Sequence, residues 1–115
     1  MEANNYAALL KNYHRHKKAE SLLRRTIPVA QRVLGENDII LLTMEKVYAE
    51  SLYRDSSATL DDLRKAVATL EDTERTARRV FGGAHPLTTD FFQRGLRNAR
   101  AALTARITPP PSGSA

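Results

Sequence analysis

The chain has 115 residues and a mass of 12.9 kDa, which suits one small domain. Hydrophobic residues make up 42% and charged residues 27%, the balance of a folded chain rather than a disordered one. The absence of cysteine excludes a disulfide framework, a thiolate nucleophile and a cysteine-ligated zinc site. No apolar run is long enough to cross a bilayer and no signal-peptide pattern is present, so we expect a cytoplasmic protein without a membrane partner.

The formal net charge of +5 divides into three segments of alternating sign. Residues 1–35 carry seven basic and two acidic side chains, residues 36–74 four and ten, and residues 75–115 seven and one. The segment charges are therefore +5, −6 and +6. A nucleic-acid-binding protein more often has one continuous basic stripe, so nucleic acid is a disfavoured partner. The alternation favours packing between neighbouring segments, although ordinary solvated charges explain it equally well.

Apolar residues recur with the 3.6-residue period of a helix in five segments, and no segment shows the period of two that a strand requires. The sequence therefore predicts an all-α fold. The predicted helices cover approximately residues 2–13, 16–34, 38–54, 59–81 and 86–106. Glu74 is the one residue that interrupts the apolar face of the fourth helix.

Residues that begin or end helices stand at the limits of these segments. Glycine can adopt the left-handed conformation that ends a helix, whereas capping side chains and proline favour a helix start. These residues are Gly35, Gly82 and Gly83 at helix ends, and Asn37 or Asp38, the pair Thr59 and Asp62, and Pro86 at helix starts. One signal disagrees, because Pro28 lies inside the second predicted helix and is expected to kink or split it.

The chain contains an internal repeat. Residues 32–35, Arg-Val-Leu-Gly, recur as residues 79–82, Arg-Val-Phe-Gly, at an offset of 47. The same offset relates Ala19 to Ala66, Leu23 to Leu70, Thr26 to Thr73, and Ala30 to Ala77. A second offset, of 42, relates the first predicted helix to the third, as in Tyr6 and Tyr48. A helix pair alone cannot bury its apolar face, so stacked pairs are expected to share one core.

The repeat divides the chain into units of helix, turn and helix, present about two and a half times. The predicted units are residues 1–35, 36–82 and 83–106. Residues 107–115 are rich in proline and serine and are expected to form a disordered tail. Whether the chain is complete or a fragment of a longer array is left open.

The units resemble tetratricopeptide repeats of the kinesin-light-chain type, which are longer than the standard repeat of about 34 residues. The motifs that carry the resemblance are Asn4-Asn5-Tyr6-Ala7, residues 18–25 and Val33-Leu34-Gly35 in the first unit, and Tyr48-Ala49, Lys65-Ala66, Val80-Phe81-Gly82 and Ala84-His85-Pro86 after it. The resemblance covers residues 2–106 and implies a right-handed α-solenoid of stacked antiparallel helix pairs. The chain departs from the pattern at Pro28 and at Gly95, where a large apolar residue is expected. The last helix is therefore a candidate terminal cap.

The resemblance also implies a peptide-binding groove. In such arrays the first helix of each pair lines a concave face that holds a peptide, and the matching positions are expected to be exposed. They are Asn4, Ala8, Lys11 and Asn12 on the first helix, Lys46, Glu50, Tyr53 and Arg54 on the third, and Gln93, Arg97 and Arg100 on the last. Five of these are cationic, so the expected partner is a protein or peptide with an acidic or polar segment. Ordinary surface side chains would produce the same inventory.

No arrangement of side chains indicates catalysis, a metal or a cofactor. His14 and His16 lie in a basic turn that repels cations, and His85 is more typical of a helix start. The carboxylates between residues 61 and 74, Glu74 included, are expected on a solvated helix face. We therefore expect a protein-interaction scaffold that is not an enzyme. The alternatives are a structural spacer or a segment that self-associates through its open ends, and, less favoured, a nucleic-acid-binding helical repeat.

Overall fold

The computed structural model describes residues 16–55 and 57–108, and all regular elements within these ranges are helical. Helix α1 is His16–Leu34, α2 is Ile39–Tyr53 and α3 is Leu60–Phe81. Helix α4 begins as a π-helix, Leu87–Phe92, and continues as an α-helix, Gln93–Ile107. The all-α prediction is confirmed for these ranges, where four of the five predicted helices lie. The first predicted helix, and all but residues 107 and 108 of the predicted tail, lie outside the described residues.

The predicted helix limits depend on capping residues, and the structure confirms these. Asp38 precedes α2 and accepts a hydrogen bond from the backbone N–H of Ile40 at 2.8 Å. Thr59 and Asp62 form a reciprocal capping box at the start of α3, with bonds of 3.0 and 3.1 Å. Gly35 follows α1 with a φ of 86°, a conformation that side chains disfavour. Local backbone chemistry therefore sets where the helices begin and end.

Pro28 does not split α1, so that alternative of the prediction is wrong. The helix is continuous from His16 to Leu34 with Pro28 inside it. Proline cannot donate to the carbonyl of the residue four positions earlier, Arg24. Both residues are exposed, so water can satisfy that carbonyl and the helix can continue.

The core extends over all four helices. Each helix packs against the next one in the chain, and α2 also contacts α4. Alanines with no exposed surface occupy the closest contacts, where the absence of a large side chain lets helices approach: Ala19, Ala49, Ala66, Ala77 and Ala99. Leucine, methionine and tyrosine side chains fill the space around them, including those of Leu23, Leu41, Met44, Tyr48, Leu52 and Leu70.

The residues related by the offset of 47 occupy matching environments in α1 and α3. Leu23 and Leu70 are both buried in the same core. Thr26 and Thr73 each donate a hydroxyl hydrogen bond to the carbonyl four residues earlier, at 2.7 and 2.8 Å. The part of the repeat at offset 47 is therefore also a repeat of local structure, whereas the part at offset 42 involves the first predicted helix, which lies outside the described residues.

The π-helical turn at the start of α4 lets two adjacent aromatic residues face the protein interior. Phe92 is fully buried, and Phe91 contacts it edge-to-face with ring centroids 4.9 Å apart. Thr88, also fully buried, donates its hydroxyl to the carbonyl of Ala77 on α3 at 3.3 Å. A π turn holds one residue more than an α turn, so it changes the direction in which every later side chain of α4 points.

Candidate functional site

Two α2 residues that were predicted to be exposed have side chains largely withdrawn from solvent. The side chains of Lys46 and Glu50 are only 11% and 7% exposed. The Lys46 ammonium donates to Glu50 Oε2 at 3.0 Å and lies 4.2 Å from the centre of the Phe91 ring. The predicted exposure of Lys46 and Glu50 is therefore wrong, because their charges pair inside a helix interface.

Gly95 explains how a lysine fits in this interface. A Cβ atom at position 95 would lie 3.1 Å from Lys46 Cε and 3.5 Å from Leu70 Cδ2. The missing side chain at Gly95 thus leaves the space that the aliphatic part of Lys46 occupies. The departure from the repeat pattern at Gly95 is a packing feature that couples α2 to α4.

The other two α2 positions differ in exposure. Tyr53 is half-buried, and burial raises the pKa of its hydroxyl. The Arg54 guanidinium is exposed, with Nη2 3.7 Å from Glu50 Oε2. Arg54 is thus the one cation of this predicted set on α2 that reaches solvent. The predicted positions Asn4, Ala8, Lys11 and Asn12 lie outside the described residues.

The predicted α4 positions line a cleft between α3 and α4, which we call the arginine cleft. It has a volume of about 280 Å³ and is lined by Glu74, Arg78, Gln93, Leu96, Arg97 and Arg100. No residue of α2 lines it. Among the described site residues, Lys46 therefore packs against Phe91 and Gly95 of α4, whereas Gln93, Arg97 and Arg100 line the arginine cleft. The prediction that they form one peptide groove remains a prediction.

Glu74 lies buried in the arginine cleft, which corrects the expectation that it faces solvent. Its Oε1 atom accepts hydrogen bonds from Arg78 Nε at 3.1 Å, Arg78 Nη2 at 2.5 Å and Gln93 Nε2 at 3.3 Å. A buried carboxylate needs such partners, because it has lost its hydration. These bonds also hold Arg78 and Gln93 in fixed positions along the cleft.

The two remaining arginines are free to meet a ligand. Arg100 Nη2 lies 3.1 Å from Glu71 Oε2, but the two side chains are 56% and 43% exposed, so solvent weakens this ion pair. Arg97 is exposed and makes no hydrogen bond or ion pair within residues 16–55 and 57–108. Three guanidinium groups face one carboxylate among the lining residues, and the cleft therefore has an excess of positive charge.

Three lining residues were not among the predicted site residues: Glu74, Arg78 and Leu96. The sequence holds one usable signal, because Glu74 interrupts an apolar face and Arg78 follows it at the spacing of one helical turn. A charged residue on a core face, with an opposite charge four positions later, indicates a buried charge with a partner at the surface rather than a solvated pair.

A second depression lies near the junction of α1 and α2 and carries the opposite charge. It has a volume of about 220 Å³ and is lined by Gln31, Glu36, Leu41, Glu45, Asp72 and Thr76. Burial raises the pKa of Glu45, and the nearby carboxylate of Asp72 adds to that shift. We call this the acidic depression.

No model of a protein family matches this chain, and no curated protein or solved structure matches it. No helix within the described ranges is long and apolar enough to cross a membrane. The same residues contain no group of three or more histidine, aspartate or glutamate side chains placed to bind a metal ion. The function of the chain is therefore inferred from the side chains described above.

Proposed function

We propose that this chain is a helical-repeat module of the tetratricopeptide type, similar to the repeats of kinesin light chains, that binds an acidic segment of a protein partner and catalyses no reaction. The observation that carries the proposal is the arginine cleft, an open space in which three guanidinium groups face one carboxylate. Arginine suits this role because its planar fork can donate two parallel hydrogen bonds to a carboxylate.

A stacked-repeat architecture is supported by the matching environments in α1 and α3. The alanine, leucine and threonine residues related by the offset of 47 have the same burial or the same hydrogen bonds in both helices. Short connections between consecutive helices favour antiparallel neighbours. We infer a right-handed solenoid of antiparallel helix pairs, in which the arginine cleft lies after the second pair.

The cleft combines two paired arginines, Arg78 and Arg100, with Arg97, which has no partner within the described residues. Arg78 is held by Glu74, so it loses little conformational freedom when an anion arrives. Arg97 has no competing carboxylate, and Leu96 supplies a buried apolar floor. A single cleft of this size buries little surface, so we expect a dissociation constant in the micromolar range, on the order of 1–100 μM.

Fluorescence anisotropy with labelled peptides tests the proposal. We expect saturable binding of a Glu-rich peptide, and none of a Lys-rich peptide of the same length. The double variant R97E/R100E should weaken binding at least about tenfold, because it reverses two charges at the cleft. R94E/R106E is the matched control, since Arg94 and Arg106 are exposed residues of α4 that do not line the cleft. Equal losses for both variants would contradict a specific site.

Self-association is a second candidate, supported by exposed apolar residues near the turn between α1 and α2. Val33 and Ile40 are 74% and 52% exposed, and Val29, Leu34 and Ile39 also reach solvent. Clustered apolar exposure of this kind can mark an interaction surface. Sedimentation velocity over a hundredfold range of concentration tests this candidate. Concentration-dependent dimers that V33E abolishes would support it, and a monomer throughout would exclude it.

A further inference from the structure

We infer that the anionic group recognised in the arginine cleft is a phosphate monoester on the partner segment, such as phosphoserine or phosphothreonine. This inference rests on the proposed function and specifies its ligand. It is supported by the charge of the cleft, the unused hydrogen-bond donors of its arginines and its size.

The charge of the cleft exceeds what one carboxylate can neutralise. Its lining residues carry three positive charges and one negative charge, a formal excess of two. An aspartate or glutamate side chain of a partner supplies one negative charge, whereas a phosphate monoester supplies about 1.5 to 2 at neutral pH. A single phosphate group therefore balances the cleft when it replaces Glu71 as the partner of Arg100.

The donors of the cleft outnumber the acceptors of a carboxylate. Arg97 has all its donors unused within the described residues, and Arg100 contacts Glu71 through one nitrogen. Arg78 uses Nε and Nη2 on Glu74 and keeps Nη1. A carboxylate offers two oxygens with about four acceptor positions in one plane, whereas the three terminal oxygens of a phosphate point in three directions and can accept from two or three guanidinium groups at once.

The cleft also has the size for one phosphorylated side chain. Its volume of about 280 Å³ lies near the lower end of the range for ligand sites, about 300–1,000 Å³. Such a space admits a side chain and not a folded element. Binding then requires the phosphate to replace Glu71 as the partner of Arg100, which is inexpensive because that ion pair is exposed.

The test compares three labelled peptides that differ at one position. A nine-residue peptide of Gly, Ala and Glu carries Ser, Glu or phosphoserine at its centre, and anisotropy is measured at about 0.15 M salt. We expect the phosphoserine peptide to bind at least about tenfold more tightly than the Glu peptide. R97A should remove this preference, whereas R94A, which changes an exposed arginine outside the cleft, should leave it intact.

The pH dependence provides a second readout. The second pKa of a phosphate monoester is about 6, so its charge changes from nearly −2 towards −1 as the pH falls from about 7.5 to 5.5. The phosphoserine peptide should therefore lose affinity over this range, while the Glu peptide, with a pKa near 4.3, should not. The variant E71Q should strengthen phosphoserine binding about two- to fivefold, because it frees Arg100.

The outcomes separate this inference from the proposed function. If the Glu peptide binds as tightly as the phosphoserine peptide, the phosphate inference is overturned and an acidic-segment site remains. If neither peptide binds to a folded sample, both proposals fail. If a single-stranded oligonucleotide without a terminal phosphate monoester binds more tightly than the phosphoserine peptide, the inference is overturned in favour of nucleic acid.

Discussion

The junctions α1–α2 and α3–α4 are related by the internal repeat, yet they present opposite charges. The first forms part of the acidic depression, with Glu36, Glu45 and Asp72 in its lining, and the second forms the arginine cleft. The offset of 47 relates Gln31 in the depression to Arg78 in the cleft. Alanine and leucine positions preserve the helical frame, while the residues between them are free to change the chemistry of each junction.

The two junctions also differ in the partners that they provide for a carboxylate shielded from solvent. Glu74 is buried but has Arg78 and Gln93 as hydrogen-bond donors. Glu45 faces Asp72 and Glu36 in its depression, so burial and repulsion both raise its pKa. A buried charge stabilises a fold only where its partners are built in with it. In the cleft Arg78 and Gln93 meet that condition, whereas at Glu45 burial and the nearby carboxylates outweigh the hydrogen bonds from Gln31 and Thr73 and leave its pKa raised.

The largest effect is expected from truncating the two repeat-related core leucines. Leu70 has no exposed surface, and L70A should lower the free energy of unfolding by about 3–4 kcal/mol, because a cavity remains among three helices. Leu23 is 4% exposed at the edge of the same core, and L23A should cost about 2–3 kcal/mol. Urea unfolding followed by circular dichroism measures both. A larger loss for L23A would contradict the central position of Leu70.

A smaller effect is expected from exchanging the residue types at positions 27 and 74, which the offset of 47 relates to each other. I27E puts a carboxylate on a core face with Gln31, not arginine, one turn later, and should cost about 2–3 kcal/mol. E74I removes an ion pair between a buried carboxylate and an exposed guanidinium, and should change stability by less than about 1 kcal/mol. The double variant I27E/Q31R copies the pair at positions 74 and 78, and should recover about 1 kcal/mol. No recovery would mean that the pair depends on more than its spacing.

The smallest effect is expected at Glu45. Its pKa in the folded chain is raised, so its ionised form destabilises the fold above that pKa, and the cost disappears as the pH falls below the unfolded value. E45Q should therefore raise the free energy of unfolding at pH 7 by less than about 1 kcal/mol, with a small rise in melting temperature. Near pH 4 it should have no effect. Differential scanning calorimetry at the two pH values measures this. A gain that persists at pH 4 would show that charge is not its cause.

The limits of the helices could be predicted from sequence, because they depend on local chemistry. Asp38, Thr59 and Gly35 act on the backbone within a few residues, and the structure places them where the pattern predicts. The burial of Lys46 could not be predicted, because the space it fills is created by Gly95 on another helix. The sequence also did not predict that residues of α3 and α4 form one cleft, because the relative orientation of two helices is not encoded in either helix alone. The π turn changes the direction of the α4 side chains, yet the apolar period that predicts the helix is unchanged.

The packing of Lys46 against Gly95 has a consequence for how this sequence can change over generations. A Cβ atom at position 95 would lie 3.1 Å from Lys46 Cε, so the lysine would have to shift to admit a side chain there, and shortening that lysine first would leave an empty space beside Leu70. Either order passes through a less stable intermediate. The two positions should therefore be inherited as a matched pair, large with small, and a variant library that randomises only one of them should recover little besides the original residue.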